Sequence, residues 1–186
     1  YKTIPANGNA KVGTVSGTSI SFGSEANFSN SSAIGNELRV VFDSNANKVV
    51  VAYIDTGNSS YGTAAVGTVS GTSISFGSEA IFHDAATYRN SLVYDPTSNK
   101  TLIAYSDASS SNGGTFVMGT VSGTSISFGS EAVFEAGEAA NIATTYDSNN
   151  DRVVIVYEDA TDSDQGSAVV VSTAASINNL TSENYI

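Results

Sequence analysis

The chain lacks several residue types that define common functional classes. It has no cysteine and no tryptophan, and only two prolines, one methionine and one histidine in 186 residues. The absence of cysteine excludes disulfides, thiolate catalysis and zinc–thiolate sites. A Ser–His–Asp hydrolase would have to use His83, and no nucleophile-elbow motif accompanies it. The sequence therefore predicts no catalytic residues.

Basic residues and long apolar segments are also scarce. Seven Lys and Arg stand against 18 Asp and Glu, and the net charge of −11 argues against nucleic-acid binding because phosphates would be repelled. No apolar stretch is long enough to insert into a membrane. Aliphatic residues occur in runs of about four to eight separated by Gly, Ser, Asn and Asp, which is typical of strands and turns. The composition predicts an all-β protein.

The sequence is dominated by an internal repeat. The segment GTVSGTSISFGSEA at residues 13–26 recurs unchanged at 67–80 and 119–132. The segments VFDSNANKVVVAYID at 41–55, VYDPTSNKTLIAYSD at 93–107 and TYDSNNDRVVIVYED at 145–159 also correspond. The whole unit is therefore repeated, in roughly three and a half copies. Since the sequence starts and stops inside a copy, we expect it to be a processed product or an excised segment.

The residue pattern of each copy predicts four antiparallel strands, which we call A to D. Strand A alternates apolar and polar residues, as at Leu38, Val40 and Phe42. Strand B is apolar on both faces, which predicts burial on both sides; its ranges are 48–55, 100–107 and 152–159. Strand C, at 62–69 and 114–121, leads through a tight turn into strand D, which has one apolar face.

This meander and a period of about 52 to 54 residues favour blades of a β-propeller. The units are a half blade at 1–28 and blades at 29–82, 83–134 and 135–186. Immunoglobulin-like arrays need about 100 residues per unit, and solenoid coils need about 20 to 30. Closed propellers have at least about four blades. The chain is thus expected to form an arc of a longer ring, to close through a hybrid blade from its two ends, or to close by self-association.

The D-to-A and B-to-C loops are expected on one propeller face, and they differ between copies. The D-to-A loops are SNSSAIGN at 29–36, HDAATYRN at 83–90 and EAGEAAN at 135–141; the B-to-C loops lie at 56–61, 108–113 and 160–165. The SGTS turns, expected on the other face, are constant. Variable loops on a constant frame are typical of a recognition surface, although drift in solvated loops explains the variation equally well.

The densest group of polar and aromatic side chains in these loops is the candidate ligand-binding site. It consists of Tyr61, His83, Asp84, Tyr88 and Arg89. Aromatic rings beside a carboxylate and a guanidinium suit a sugar, which requires stacking and planar hydrogen-bonding partners. The alternative is an ordinary solvated surface.

No metal or cofactor is predicted. Asp43, Asp95 and Asp147 each open a turn with the pattern D-x-x-x-N or D-x-x-x-D, which invites a calcium interpretation because oxygen ligands cluster there. We favour the simpler interpretation that each carboxylate caps its own turn.

Two resemblances bear on fold and function. The run TVSGTSISF at 14–22, 68–76 and 120–128 resembles the Asp-box turn of sialidase-type propellers, with Ser in place of Asp. More of the chain is covered by a second resemblance, in which tandem GTVSGTSISFGSE units separated by YDSNxNKVVIAYxD segments are similar to repeats in tail-fibre and structural proteins of marine bacteriophages. That resemblance implies an extracellular or virion-surface location and carries no catalytic residue across.

Together these observations lead us to expect a non-enzymatic exterior module of a phage-type fibre. It would bind a host receptor or cell-surface glycan through the variable loops. One alternative is a purely structural subunit that self-associates into a ring or filament. Another is a degenerate sialidase-like or glycosidase-like propeller, since paired carboxylates need only spatial proximity.

Overall fold

The computed structural model describes residues 7–29, 34–35, 37–171 and 181–184, and it confirms the all-β prediction. One short 3₁₀ turn at Ala108–Ser110 interrupts the strands of the described part. No helix within that part is long and apolar enough to cross a membrane.

The strands follow the four sequence units. The first unit contains β1 Asn9–Ala10, β2 Gly13–Ser16, β3 Ser19–Phe22 and β4 Ala26–Asn27. The second contains β5 Arg39–Asp43, β6 Lys48–Asp55, β7 Tyr61–Ser70 and β8 Ser73–Phe76. The strand β9 Ala80–Asp95 leads into the third unit, with β10 Lys100–Asp107, β11 Gly113–Ser122 and β12 Ser125–Phe128. The strand β13 Ala132–Asp147 leads into the fourth, with β14 Arg152–Asp159, β15 Gln165–Val171 and β16 Thr181–Asn184.

Antiparallel pairing within each unit follows the predicted meander. β5 pairs with β6, β6 with β7 and β7 with β8, and the third unit repeats these pairings from β9 to β12. The predicted B strands coincide with β6, β10 and β14 at both ends. Each C-to-D reversal places a glycine at positive φ, such as Gly71 at 59°, a conformation that glycine adopts without steric cost.

Twelve strands join into one sheet whose order runs from β5 to β16, with β8 and β12 paired off the main path. The small pairs β1–β4 and β2–β3 form separate two-stranded sheets. The described strand order is open, since β5 and β16 stand at its ends. A closed ring is thus not present in the described residues, and the propeller stays a prediction.

The D-to-A loops predicted at 83–90 and 135–141 are wrong, because both segments lie inside continuous strands. β9 and β13 each span 16 residues. The first part of β9 pairs with β7, and the rest pairs with β10. Near the change of partner, Arg89 has a φ of 55° and the register with β10 shifts. Two polar residues of this segment, His83 and Arg89, contact carboxylates of the following units. The loop predicted at 29–36 lies mostly outside the described residues.

Successive units pack face to face through three apolar clusters. One joins the first and second units around Phe28, Val51 and Tyr53. Another joins the second and third units around Ala52, Phe82 and Tyr105, and a further one joins the third and fourth units. Neighbouring residues of β6 and β10 point to different clusters, so both strands are buried on both sides, as predicted. The same prediction is wrong for β14, where the alternate residues Val153, Ile155 and Tyr157 are buried but Val154 and Val156 are not.

Glycines of the constant segment allow the units to pack closely. A side chain at Gly77, which follows β8, would overlap the carbonyl of Thr124 in the C-to-D turn of the next unit. Gly23 has the same relation to Thr72 one unit earlier. The glycine of one copy therefore leaves room for the C-to-D turn of the following copy. A larger residue at the glycine position would not fit against this turn.

Candidate functional site

The structure divides the five predicted site residues into two sets. His83 and Arg89 are held by carboxylates of the following units. Asp84 and Tyr88 are exposed on β9, and Tyr61 is half-buried at the start of β7. The five residues therefore do not form a single surface cluster.

His83 lies at the junction between the second and third units and is nearly fully buried. Its Nδ1 is 2.7 Å from Oε1 of Glu131, and its Nε2 is 3.1 Å from Oδ1 of Asp107. The Tyr105 hydroxyl is 3.4 Å from Nδ1. A ring that donates from both nitrogens is an imidazolium, so this arrangement suits a cation between two carboxylates.

Hydrogen bonds from Ser109 and His83 hold the Asp107 carboxylate in this group. Burial alone would raise the pKa of its carboxyl, but hydrogen bonds from the Ser109 hydroxyl and amide, together with His83, outweigh burial and lower the pKa. The Ser109 hydroxyl donates to Oδ1 at 2.6 Å and the Ser109 amide at 2.8 Å. Asp107 is therefore both the end of β10 and a fixed partner of the histidine.

The same place in the other units has different chemistry. In the alignment of copies, Ser29, His83 and Glu135 are equivalent, each directly after a phenylalanine. Ser29 hydrogen-bonds the Tyr53 phenol, which also donates to Glu79. Glu135 accepts from the Tyr157 hydroxyl at 3.1 Å. A tyrosine of strand B thus recurs at all three junctions, and its polar partner from the preceding unit changes.

These tyrosines are strongly perturbed. Burial, reinforced by Glu79, raises the pKa of Tyr53, and burial with the charge of Glu131 raises that of Tyr105. Burial, followed by the Glu135 charge, raises the pKa of Tyr157 to about 12. All three phenols are accordingly neutral hydrogen-bonding groups near neutral pH.

Arg89 makes a second polar contact between units. Its Nη1 donates to Oε1 of Glu138 at 2.9 Å and approaches the Ala139 carbonyl at 3.4 Å. This ion pair is about one-third exposed, so its contribution is modest.

The remaining three residues lie on the paired strands β7 and β9, where Asp84 and Tyr88 are exposed and Tyr61 is half-buried. Tyr61 of β7 pairs with Ala86 of β9, and Asp84 and Tyr88 lie two residues to either side of Ala86. Tyr88 is 45% exposed. One carboxylate and two phenolic rings on neighbouring strands can hydrogen-bond and stack on a flat polar ligand.

The three turn aspartates cap their own turns, as favoured from sequence. Asp43 accepts from the Ala46 amide, Asp95 from that of Thr97, and Asp147 from that of Asn149. The side-chain amide of Asn150, followed by the Asn149 amide, lowers the pKa of Asp147. Within the described ranges no group of three or more metal-ligating side chains comes together.

The sequence interpretation missed that the strand-B tyrosines Tyr53, Tyr105 and Tyr157 each meet a glutamate, which is Glu79, Glu131 and Glu135 in turn. A signal was available for the first two, because the SEA glutamate and the YxD tyrosine recur at fixed positions, whereas Glu135 stands at the variable position. Their proximity depends on strands from consecutive units, which local patterns do not reveal. A scan against protein-family models finds no match for the chain, and a search of curated proteins finds no significant relative.

Proposed function

We propose that the chain is a non-enzymatic structural repeat module whose units act as blades of a β-propeller arc. The observation that carries the proposal is the burial of β6 and β10 on both faces by the units before and after them. A strand that neighbouring repeat units cover on both faces is typical of a blade in a stack. The resemblance to tail-fibre repeats supports an exterior location for such a scaffold.

The polar contacts between units also support a structural role. The ionisable cluster formed by His83, Asp107 and Glu131, in which His83 and Asp107 are buried, is occupied by its own members. Groups that satisfy one another in a packed junction hold two units together and leave little capacity for substrate.

Distances between spin labels test the blade arrangement in this cysteine-free chain. One doubly labelled variant carries cysteine at Asn45 and Asn149, in exposed A-to-B turns. The second carries cysteine at Ser16 and Ser122, beside exposed C-to-D turns. Both pairs are separated by two units. An arc predicts a longer distance for the outer pair, Ser16 to Ser122, because blades diverge from a common axis. Equal distances would indicate a straight stack and overturn the propeller.

A second candidate function is recognition of a glycan by Tyr61, Asp84 and Tyr88. The specific observation is that Asp84 and Tyr88 are exposed and Tyr61 is half-buried on the strands around Ala86, while the neighbouring His83 and Arg89 contact carboxylates. Stacking aromatic rings beside a carboxylate is a common way to bind carbohydrate.

Glycan-array binding tests this candidate. Tyr88→Ala should reduce the signal at least about tenfold if its ring provides a stacking contact of about 1.4 kcal/mol or more. Tyr94→Ala is the matched control, since Tyr94 lies at the other end of β9 and hydrogen-bonds Asn99. Absence of any bound glycan, or equal loss in both variants, would contradict the proposal.

A further inference from the structure

The outward side of the fourth unit exposes a face that is covered in the inner units. Val156 of β14 is 43% exposed and Val170 of β15 is 39% exposed. Their equivalents in the second unit are Ala52 and Val66, and both are completely buried. Those residues are covered because the third unit packs on them. A shallow groove of about 490 Å³ runs beside Val156, lined by Asn141 and Glu158 among others.

The first unit exposes the complementary side. Ile20 and Phe22 of β3 are 54% and 63% exposed. Their equivalents in the third unit are Ile126, which is buried, and Phe128, whose ring lies 6.0 Å from that of Phe82. In the inner junction, β12 therefore lies against the preceding unit, and it contacts β7 in particular. The described residues thus present both halves of this junction, one on the first unit and one on the fourth.

We propose that these two faces bind each other between copies of the chain, so that β3 of one copy packs on β15 of another. This inference rests on the proposed structural function and adds its partner, a second copy of the same chain. The inner junctions support this pairing. There, the face equivalent to that of Val156 and Val170 is covered by a unit that has Ile and Phe at the positions of Ile20 and Phe22. Exposed apolar patches bounded by polar residues are typical of such interfaces.

The contact is head to tail, because the two faces differ. Such heterologous contacts generate closed rings when the rotation permits and open filaments when it does not. The net charge of −11 opposes association, so added salt should strengthen it.

Disulfide trapping provides the test. The variant Ile20→Cys and the variant Val170→Cys each introduce a single thiol, and the equivalent residues, Ile126 and Val66, share one buried cluster. A mixture of the two single variants should give a reducible dimer under mild oxidation, while each variant alone should give little. The double variant should give a ladder of oligomers. Val133→Cys is the control, since Val133 is 55% exposed on β13 and lies on neither face.

Analytical ultracentrifugation of the unmodified chain completes the experiment. The average mass should rise with protein concentration and with salt. Dimers in the Val170→Cys sample alone would indicate a two-fold contact and overturn the proposal. So would a mixture that cross-links no faster than Val133→Cys, or a chain that stays monomeric at all concentrations. The spin-label distances within one chain do not depend on these results, so failure of association is distinguishable from failure of the blade arrangement.

Discussion

The constant segment and the residue three positions after it behave in opposite ways, although both lie at the junctions between units. The segment at 67–80 contains Gly77, which accommodates the turn carrying Thr124 in the next unit. The position that follows the next phenylalanine is Ser29, His83 or Glu135, and each of these side chains meets a strand-B tyrosine. The constant part fixes how closely units approach, and the variable residue fixes the charge of each junction.

The residues that vary between copies at this position have a structural role. A serine, a histidine and a glutamate at equivalent places require different partners, and only His83 is held between two carboxylates. Polar contacts that differ between otherwise similar interfaces can specify which unit follows which. Variation among the copies is therefore partly a feature of the packed junctions, as well as of the exposed loops.

The largest expected effect comes from introducing a carboxylate at the variable position. His83→Glu would place three carboxylates together at a junction where Asp107 is buried and Glu131 is partly exposed, and it should cost about 4 kcal/mol of unfolding free energy. His83→Ser copies the chemistry of Ser29 and should cost about half as much, because one uncharged partner remains for Tyr105. Chemical denaturation measures both. Equal losses for the two variants would show that the charge of this residue is unimportant.

The second prediction concerns the constant part. Gly77→Val should lower stability by about 3 kcal/mol, because the added side chain overlaps backbone of the following unit. For a chain of this size that corresponds to a melting temperature lower by about 6 to 12 °C. Gly129→Val is the matched control, since among described atoms its added carbon meets the Met118 carbonyl at 3.8 Å. If Gly129→Val lowers the melting temperature as much as Gly77→Val does, contact at the junction does not explain why glycine occurs at position 77.

Local patterns were sufficient to predict the strands within each unit. The bounds of β6, β10 and β14 were predicted because apolar runs end at Asp55, Asp107 and Asp159, and the hairpins because Gly71 and its equivalents mark the reversals. The segment HDAATYRN was misjudged because its polar residues have the composition of a solvated loop. In the fold, His83 and Arg89 contact Glu131 and Glu138, which are 48 and 49 residues away. Such partners follow from the stacking of units and not from local pattern.

The glutamate at the last junction leads to a third prediction, at alkaline pH. The folded-state pKa of Tyr157 is raised to about 12, so the stability linked to its neutral form is complete below the unfolded pKa of about 10. That stability is lost as the pH rises through about 12. Tyr157→Phe should flatten this loss at a cost near neutral pH of about 1 kcal/mol for the hydrogen bond to Glu135. Tyr88→Phe, at an exposed phenol, is the control, and an equal change in slope for both variants would contradict the assignment.

The smallest predicted effect lies at acid pH, in the histidine junction. The pKa of Asp107 is lowered in the folded protein, so the stability linked to its charge is present above the unfolded pKa of about 3.9 and is lost as the pH falls through the lower folded value. Asp107→Asn should therefore reduce the dependence of unfolding free energy on pH in this range. Part of the lowering comes from His83, so the same substitution in a His83→Ser background should change the pH dependence less. Denaturant titrations at a series of acid pH values measure this coupling. Identical effects in the two backgrounds would mean that Ser109 alone holds the carboxylate, and that the histidine junction differs from its neighbours in packing rather than in charge.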